Sequence, residues 1–301
     1  MWIKNLAVFL SKESFAWSVA ELDEKLDAAR CPPCSSQALS SEGFVPPLKG
    51  EARMVIACDD FLYCQHQEIV RLLPGAVIKE ELDERVEALQ DQENRKVGRK
   101  ERADLKEQIT FELLPRAFTR SRRTPVLIDL ARGRVLVDCA SESRAEQVVS
   151  ALRKALGSLP VTRPSAPTAT ATAFSHWLRE HAALPEGFTL GDRCELKDGK
   201  GEGASVRFTA VDLGQEEILA HLDSMVAVRL NLVFRDELEL DLQQDFAIKR
   251  IKPLDLIQEN LDAIDAEDAL AELMARISLQ GSTLRGALDT LFEHFEIKAG
   301  E

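Results

Sequence analysis

Ten lysines and arginines crowd into the stretch Arg95–Arg123: Arg95, Lys96, Arg99, Lys100, Arg102, Lys106, Arg116, Arg120, Arg122 and Arg123. Only four acids, Glu101, Asp104, Glu107 and Glu112, stand among them, in a chain whose net charge is -13. The chemistry such side chains do is phosphate neutralisation. A concentrated cationic stretch inside an acidic protein is a common footprint of polyanion binding. At about 100° per residue, Arg95, Arg99, Arg102 and Lys106 fall on one face of a helix, with Leu105 and Ile109 to one side. Two readings of that row stay open: a phosphate-binding face, or a solvated helix whose cations pair with nearby Glu and Asp.

Phe118 sits among Arg116, Arg120, Arg122 and Arg123. An aromatic so placed stacks on a base, seals a subunit contact, or tucks into the protein's own core, the commonest of the three fates. A second basic spot, Lys249, Arg250 and Lys252, lies in an alternating segment where Arg250 and Lys252 would share a strand face. It either extends a basic path or guards an edge strand against aggregation.

Cys31-Pro-Pro-Cys34 has the spacing of a redox pair or of half a zinc site. It follows a helix instead of opening one, and neither a second such pair nor a close histidine pair accompanies it. Coincidental cysteines in a loop are the better reading. Cys58, Cys64, Cys139 and Cys194 sit singly in or beside apolar segments, as small hydrophobes do in a reducing compartment. The five histidines are scattered, and no metalloprotease, nucleophile-elbow or P-loop motif occurs. Gly199–Gly203 reads as a surface turn. No catalytic constellation emerges, so the expectation is a binding protein with no enzymatic activity, no metal and no cofactor.

The elements that must carry these residues follow from periodicity. Residues 2–10 read as a strand, Ser18–Ala29 as an amphipathic helix, and GFVPPL at 43–48 as an extended link. Short strands are expected at Arg53–Cys58 and Phe61–Cys64. The charged region from Val77 carries the apolar edge Leu82, Val86 and Leu89; Gly98 makes two helices as reasonable as one rod. Residues 125–130 and 134–139 form the clearest hairpin, and Ser143–Leu156 is a helix closed by Gly157. A Pro/Thr/Ala-rich stretch at 160–173 marks a boundary. Beyond it come a helix at Ala173–Ala183 and strands at Arg193–Leu196, Ser205–Ala210, Ala227–Phe234, Glu237–Leu242 and Asp245–Lys252, with a short helix at Glu216–Leu222. Three amphipathic helical segments follow: Leu256–Ile264, Ala269–Ile277 and Leu284–Phe295.

With 301 residues, 45% hydrophobic and 30% charged, the chain is globular and long enough for two or three sub-domains. No apolar run reaches membrane-spanning length, and the N-terminus lacks the apolar core of a signal peptide, so a cytoplasmic protein without a membrane partner is expected. Ile251–Glu301 carries eleven acids against four Lys/Arg. An acidic exterior of that kind is compatible with a separate positive path to a polyanion.

Four stretches resemble the RdgC family of bacterial recombination-associated proteins: MWIKNL at the start, CPPCSSQALSSEGFVPPL, LLPRAFTR, and the run from Ile128-Asp129 through VDCASESRAEQVVSALRKALGSLPV. The likeness is strongest over the first 160 residues and continues more loosely to the C-terminus. It implies an α+β fold of mixed and antiparallel sheets with a protruding helical tip, assembled as a ring-shaped homodimer. The expected division is a central domain (1–75 and 119–160), a basic helical tip (76–118) and a C-terminal base domain (161–301). It further implies a nucleoid-associated protein that binds DNA, mainly duplex with single strands accepted, shows little sequence preference, and competes with RecA. The chain departs from the family around Arg207–Asp212, where Thr209, Ala210 and Val211 stand in place of lysines. The rival expectation from the residues is an interaction scaffold whose basic helix docks an acidic partner.

Overall fold

Two sheets and eight helices organise the described residues, which in this computed structural model are 2–15, 17–166, 168–199 and 203–298. Lys200, Gly201 and Glu202 of the expected surface turn lie outside them. In chain order the elements are β1 (Ala7–Ser11), α1 (Val19–Ala28), β2 (Ser40–Val45), β3 (Val55–Cys58), β4 (Phe61–Leu72), α2 (Gly75–Glu93) and α3 (Arg99–Leu113). Then follow β5 (Phe118–Asp129), β6 (Arg134–Val137), α4 (Glu142–Leu156), β7 (Val161–Thr162), α5 (Thr170–Arg179), β8 (Phe188–Asp198) and β9 (Ser205–Thr209). The chain closes with α6 (Glu216–His221), β10 (Met225–Phe234), β11 (Leu238–Gln243), β12 (Ile248–Pro253), α7 (Asp255–Asp262) and α8 (Ala269–His294). This is an α+β fold with antiparallel sheets.

The chain divides into two compact units. The first takes residues up to Ala28, Pro46–Gln65 and everything from Thr124 on; the second takes Ala29–Val45 and His66–Arg123. Strands β4 and β5 run on from one unit into the other.

In the first unit the β5–β6 hairpin pairs Val126 with Val137 and Asp129 with Arg134, and β1 lies antiparallel to β6 with Val8 opposite Leu136. Continuous apolar runs, buried on both faces, make these strands, and all four residues of β6 are buried. Helix α4 begins where the Ser141 hydroxyl accepts from the Arg144 N–H, an N-cap of the usual kind. It buries Val148, Val149, Leu152 and Leu156, and ends at Gly157, whose φ of 81° suits only glycine.

The second sheet runs β12-β11-β10-β8-β9. Phe174 and Trp177 of α5 and Leu284, Leu288 and Leu291 of α8 pack into the same core as Leu230, Leu232 and Phe234. Burying each such leucine contributes roughly 1.5–3 kcal/mol. Arg285 on α8 forks onto the buried Asp129 carboxylate with two bonds of 2.8 Å.

Three sequence expectations are corrected here. The first strand starts at Ala7, and the segment before it touches β12 instead: Leu6 and Ile248 exchange backbone bonds of 2.7 and 3.0 Å. GFVPPL is not a link throughout, because Gly43, Phe44 and Val45 belong to β2. Gly43 is needed there because a Cβ would lie 2.6 Å from the Ala29 carbonyl oxygen. The last two helical segments are one helix, α8, continuous through Gly281.

Candidate nucleic-acid interface

The second unit holds the basic stretch. Helices α2 and α3 are separate, with Asn94 closing α2 in the left-handed conformation (φ 52°) and Gly98 opening α3. They pack through Leu82, Val86 and Ile109, with Ile78, Val97, Leu105 and Leu113 around them. That seam is narrow, and charge reinforces it. Arg102 pairs with Asp83, and Arg85 meets Glu112 at 2.6 Å and Glu81 at 3.0 Å.

The row of cations expected on one helical face is therefore broken. Arg95 lies in the loop before α3, not on the helix, and it binds Glu101 at 2.7 Å and Glu93 at 2.6 Å. The hydrogen bonds from Arg95 hold the Glu101 carboxyl below the usual range. The solvated-helix reading thus applies to Arg95 and Arg102. Lys96, Arg99, Lys100 and Lys106 are exposed, with no carboxylate within ion-pair distance among the described residues.

After α3 the chain makes a short 3₁₀ turn (Leu114–Arg116) and enters β5. Arg71 of β4 clamps this turn, donating to the carbonyls of Leu114 (3.0 Å), Ala117 (3.1 Å) and Ser35 (3.0 Å). All six residues from Phe118 to Arg123 are exposed on the strand. Arg116, Arg120 and Arg122 have no ion-pair partner among the described residues, while Arg123 donates to Gln67 at 3.2 Å. Phe118 is 84% exposed, which overturns a core role for it. An apolar ring in open solvent beside free cations is available to a partner surface.

Arg250 and Lys252 lie on β12, in the other unit, and a bulge changes their expected geometry. Arg250 has φ 52°, and the register steps from Lys252 opposite Glu239 to Lys249 opposite Asp241. Arg250 forms an ion pair with Asp241 at 3.5 Å. Strict alternation fails because the bulge inserts one residue into the strand.

Cys31 and Cys34 are free, half-buried thiols, and burial pushes the Cys31 thiol up. No group of three or more His, Cys, Asp or Glu among the described residues is arranged to hold a metal ion. Among the described residues no helix is long and apolar enough to cross a membrane. Arg71, Trp2 and Lys4 were not picked out as site residues from the sequence. Each is a single residue in a stretch with no motif around it, and only the tertiary contacts reveal its position.

An α+β fold that spreads unpaired lysines and arginines over a helical hairpin and the strand after it defines a protein with an exposed cationic surface. The chain belongs to the RdgC family: the family profile described as "Putative exonuclease, RdgC" matches residues 1–298. It is 38% identical over 296 residues to the recombination-associated protein RdgC of Shewanella loihica, covering 97% of each chain. The protein of the same name from Pseudomonas aeruginosa is 37% identical, over 97% of this chain and 96% of its own. That of Shewanella frigidimarina is 38% identical over 98% of both.

Proposed function

We propose that the protein is a non-enzymatic DNA-binding protein of the nucleoid, largely indifferent to sequence, that encircles duplex DNA as a dimeric ring and restrains RecA-promoted recombination. The observation that carries this reading is the set of exposed cations without carboxylate partners among the described residues, Lys96, Arg99, Lys100, Lys106, Arg116, Arg120 and Arg122, in a chain of net charge -13. Lysine and arginine contacts to phosphate position a duplex without reading its bases. Exposed Phe118 supplies an apolar contact suited to closing a dimer, in which each such contact is made twice. The names of the relatives, recombination-associated proteins, support the same reading.

Duplex affinity against salt concentration, on two unrelated sequences, tests it. Counterion release gives a log–log slope of about -0.9 per neutralised phosphate, so about six contacts give a slope near -5 for both sequences. A flat slope would overturn the reading. The exonuclease wording of the family description is addressed by incubating end-labelled duplex with magnesium or manganese ions, where release of nucleotides would restore a catalytic role.

A second reading, a scaffold that docks an acidic partner, draws on the ease with which Arg85, Arg95 and Arg102 engage carboxylates. Partners retained after nuclease treatment would favour it.

A further inference from the structure

A cavity of about 490 Å³ opens in the first unit, where the segment before β1 lies along β12. The backbone builds it: Ile251 N–H donates to the Lys4 carbonyl at 2.9 Å, next to the Leu6–Ile248 exchange. That pairing brings Trp2 and Lys4 beside Arg250, Ile251, Lys252 and Pro253, all of which line the cavity. Trp2, Ile251 and Pro253 make an apolar floor, and the basic side chains make a rim.

The electrostatics at the rim are unequal. Arg193 and Glu239 also line the cavity, but they pair with each other, and Arg193 is further held by Asp241 at 3.2 Å and Asp192 at 3.1 Å. Arg250 leans on Asp241 at 3.5 Å. Lys4 and Lys252 are exposed, and neither has an ion-pair partner among the described residues. The rim thus carries two uncompensated positive charges over an aromatic and aliphatic floor. The Trp2 indole N–H is buried without an acceptor among the described residues, an unusual condition for a tryptophan. The bulge in β12 holds Arg250 at φ 52°.

A duplex phosphate would use the rim and leave the floor empty. A free carboxylate would do the same. A group with a flat apolar ring joined to a phosphate uses both, and the volume lies within the range of small-ligand sites. Stacking a base on an aromatic side chain while a cation meets its phosphate is the general mode of single-strand binding.

We infer that the Trp2–Lys252 cavity is a site for one unpaired nucleotide of DNA, its base against Trp2, Ile251 and Pro253 and its phosphate on Lys4 and Lys252. The inference rests on the reading of the protein as DNA-binding and adds a second site, chemically distinct from the hairpin cations. It gives the protein a means of engaging a strand where pairing is interrupted, in addition to intact duplex.

The test uses the full chain and a single-stranded octathymidylate carrying one central 5-iodouracil. Irradiation is expected to cross-link the iodouracil to Trp2, located by peptide mass spectrometry, and Trp2→Leu is expected to abolish that cross-link. Because Trp2 also packs on the core, the rim variant Lys4→Glu/Lys252→Glu provides an independent arm at two exposed positions. It is expected to weaken octamer binding about tenfold or more while changing blunt-duplex affinity less than about threefold, since charged hydrogen bonds to phosphate are among the stronger ones. Cross-links mapping only elsewhere would overturn the inference, as would unchanged octamer affinity in the rim variant. If duplex binds with a steep salt slope but the octamer gives no Trp2 cross-link, the cavity assignment falls and the proposed function stands. If duplex does not bind but the octamer cross-links Trp2 and loses affinity in the rim variant, the proposed function falls and the cavity assignment stands. Binding of an acidic aromatic peptide with no binding of the octamer would overturn the site in favour of a protein partner.

Discussion

Arg71 donates from Nη1 to the carbonyl oxygen of Leu114 at 3.0 Å, and the same nitrogen reaches Ala117 at 3.1 Å. One guanidinium thereby satisfies carbonyls at the end of α3, where helices leave acceptors unpaired. It also fixes the turn that delivers Phe118 and the arginines of β5. Arg71→Ala is expected to destabilise the protein by about 1–3 kcal/mol, the range for lost hydrogen bonds to a charged group. Faster amide exchange over residues 114–123 in the variant, measured by hydrogen–deuterium exchange, would register the loosened turn, and unchanged exchange would remove the clamp from the account.

The basic stretch contains two kinds of cation, and they should respond differently to neutralisation. Arg99→Gln/Lys100→Gln/Lys106→Gln removes three charges with no carboxylate partners. If all three meet phosphate, the salt slope should become shallower by about three contacts, each about 0.9. Arg95→Gln/Arg102→Gln instead removes ion pairs with Glu93, Glu101 and Asp83, and should affect the thermal stability of the hairpin more than the slope. Exposed pairs of this sort are screened by water and salt, so each contributes little. Equal slope changes in the two variants would show that the distinction has no bearing on binding.

Acid should loosen the same hairpin. The Arg95 guanidinium holds Glu101 below the usual carboxylate range, and Arg85, assisted by Gln108, does the same for Glu112. With the folded values depressed, the native state binds fewer protons than the unfolded chain in the interval between them. Their stabilisation is complete above the unfolded value near about 4.3 and is lost as pH falls through the lower folded values. Side-chain carboxyl titration by NMR should place both midpoints below those of exposed glutamates, and Arg85→Gln should return Glu112 toward the ordinary range.

Arg285 and Asp129 give a stability prediction in the other unit. Asp129 is fully buried, and Arg285→Met would leave its carboxylate without its charged partner, at a cost of about 3 kcal/mol in urea unfolding. Adding Asp129→Leu should recover part of that loss, because an apolar pair replaces the stranded charge. No recovery would mean that the Arg132 backbone bond to Asp129, or the stacking of Arg285 on Phe61, dominates.

Gly281 explains why α8 is one helix although its sequence looks like two. A Cβ there would lie 2.7 Å from the Phe61 ring, so the glycine marks a close crossing and not a break. Gly281→Ala, normally favourable in a helix, is expected to destabilise by about 1–3 kcal/mol through overpacking. A rise in melting temperature would contradict the crossing.

These cases show which parts of the molecule periodicity discloses. The β5–β6 hairpin and α4 are legible because short apolar runs or helical spacing coincide with burial, and a glycine ends the helix. The outer halves of β4 and β5 are not, because Phe118–Arg123 is exposed on every residue and carries no apolar alternation. The cationic stretch was visible as composition, but its partition into paired and free residues was not. Asp83 comes from another helix, 19 residues before Arg102, and only their packing joins them. The bulge at Arg250 likewise leaves no mark in an alternating sequence.

The pairing of Leu6 with Ile248 has a consequence for the order in which the chain can be completed during synthesis. Almost the whole sequence must emerge before the opening residues meet their backbone partners, whereas α2 and α3 are adjacent in the chain and need only each other to pack. The hairpin can therefore form early on the ribosome, with its lysines and arginines already displayed. Trp2 and Lys4 must wait for β12. A nascent chain stalled before Ile248 would carry the cationic hairpin without the cavity, and would lack the last bonds that hold its beginning in place.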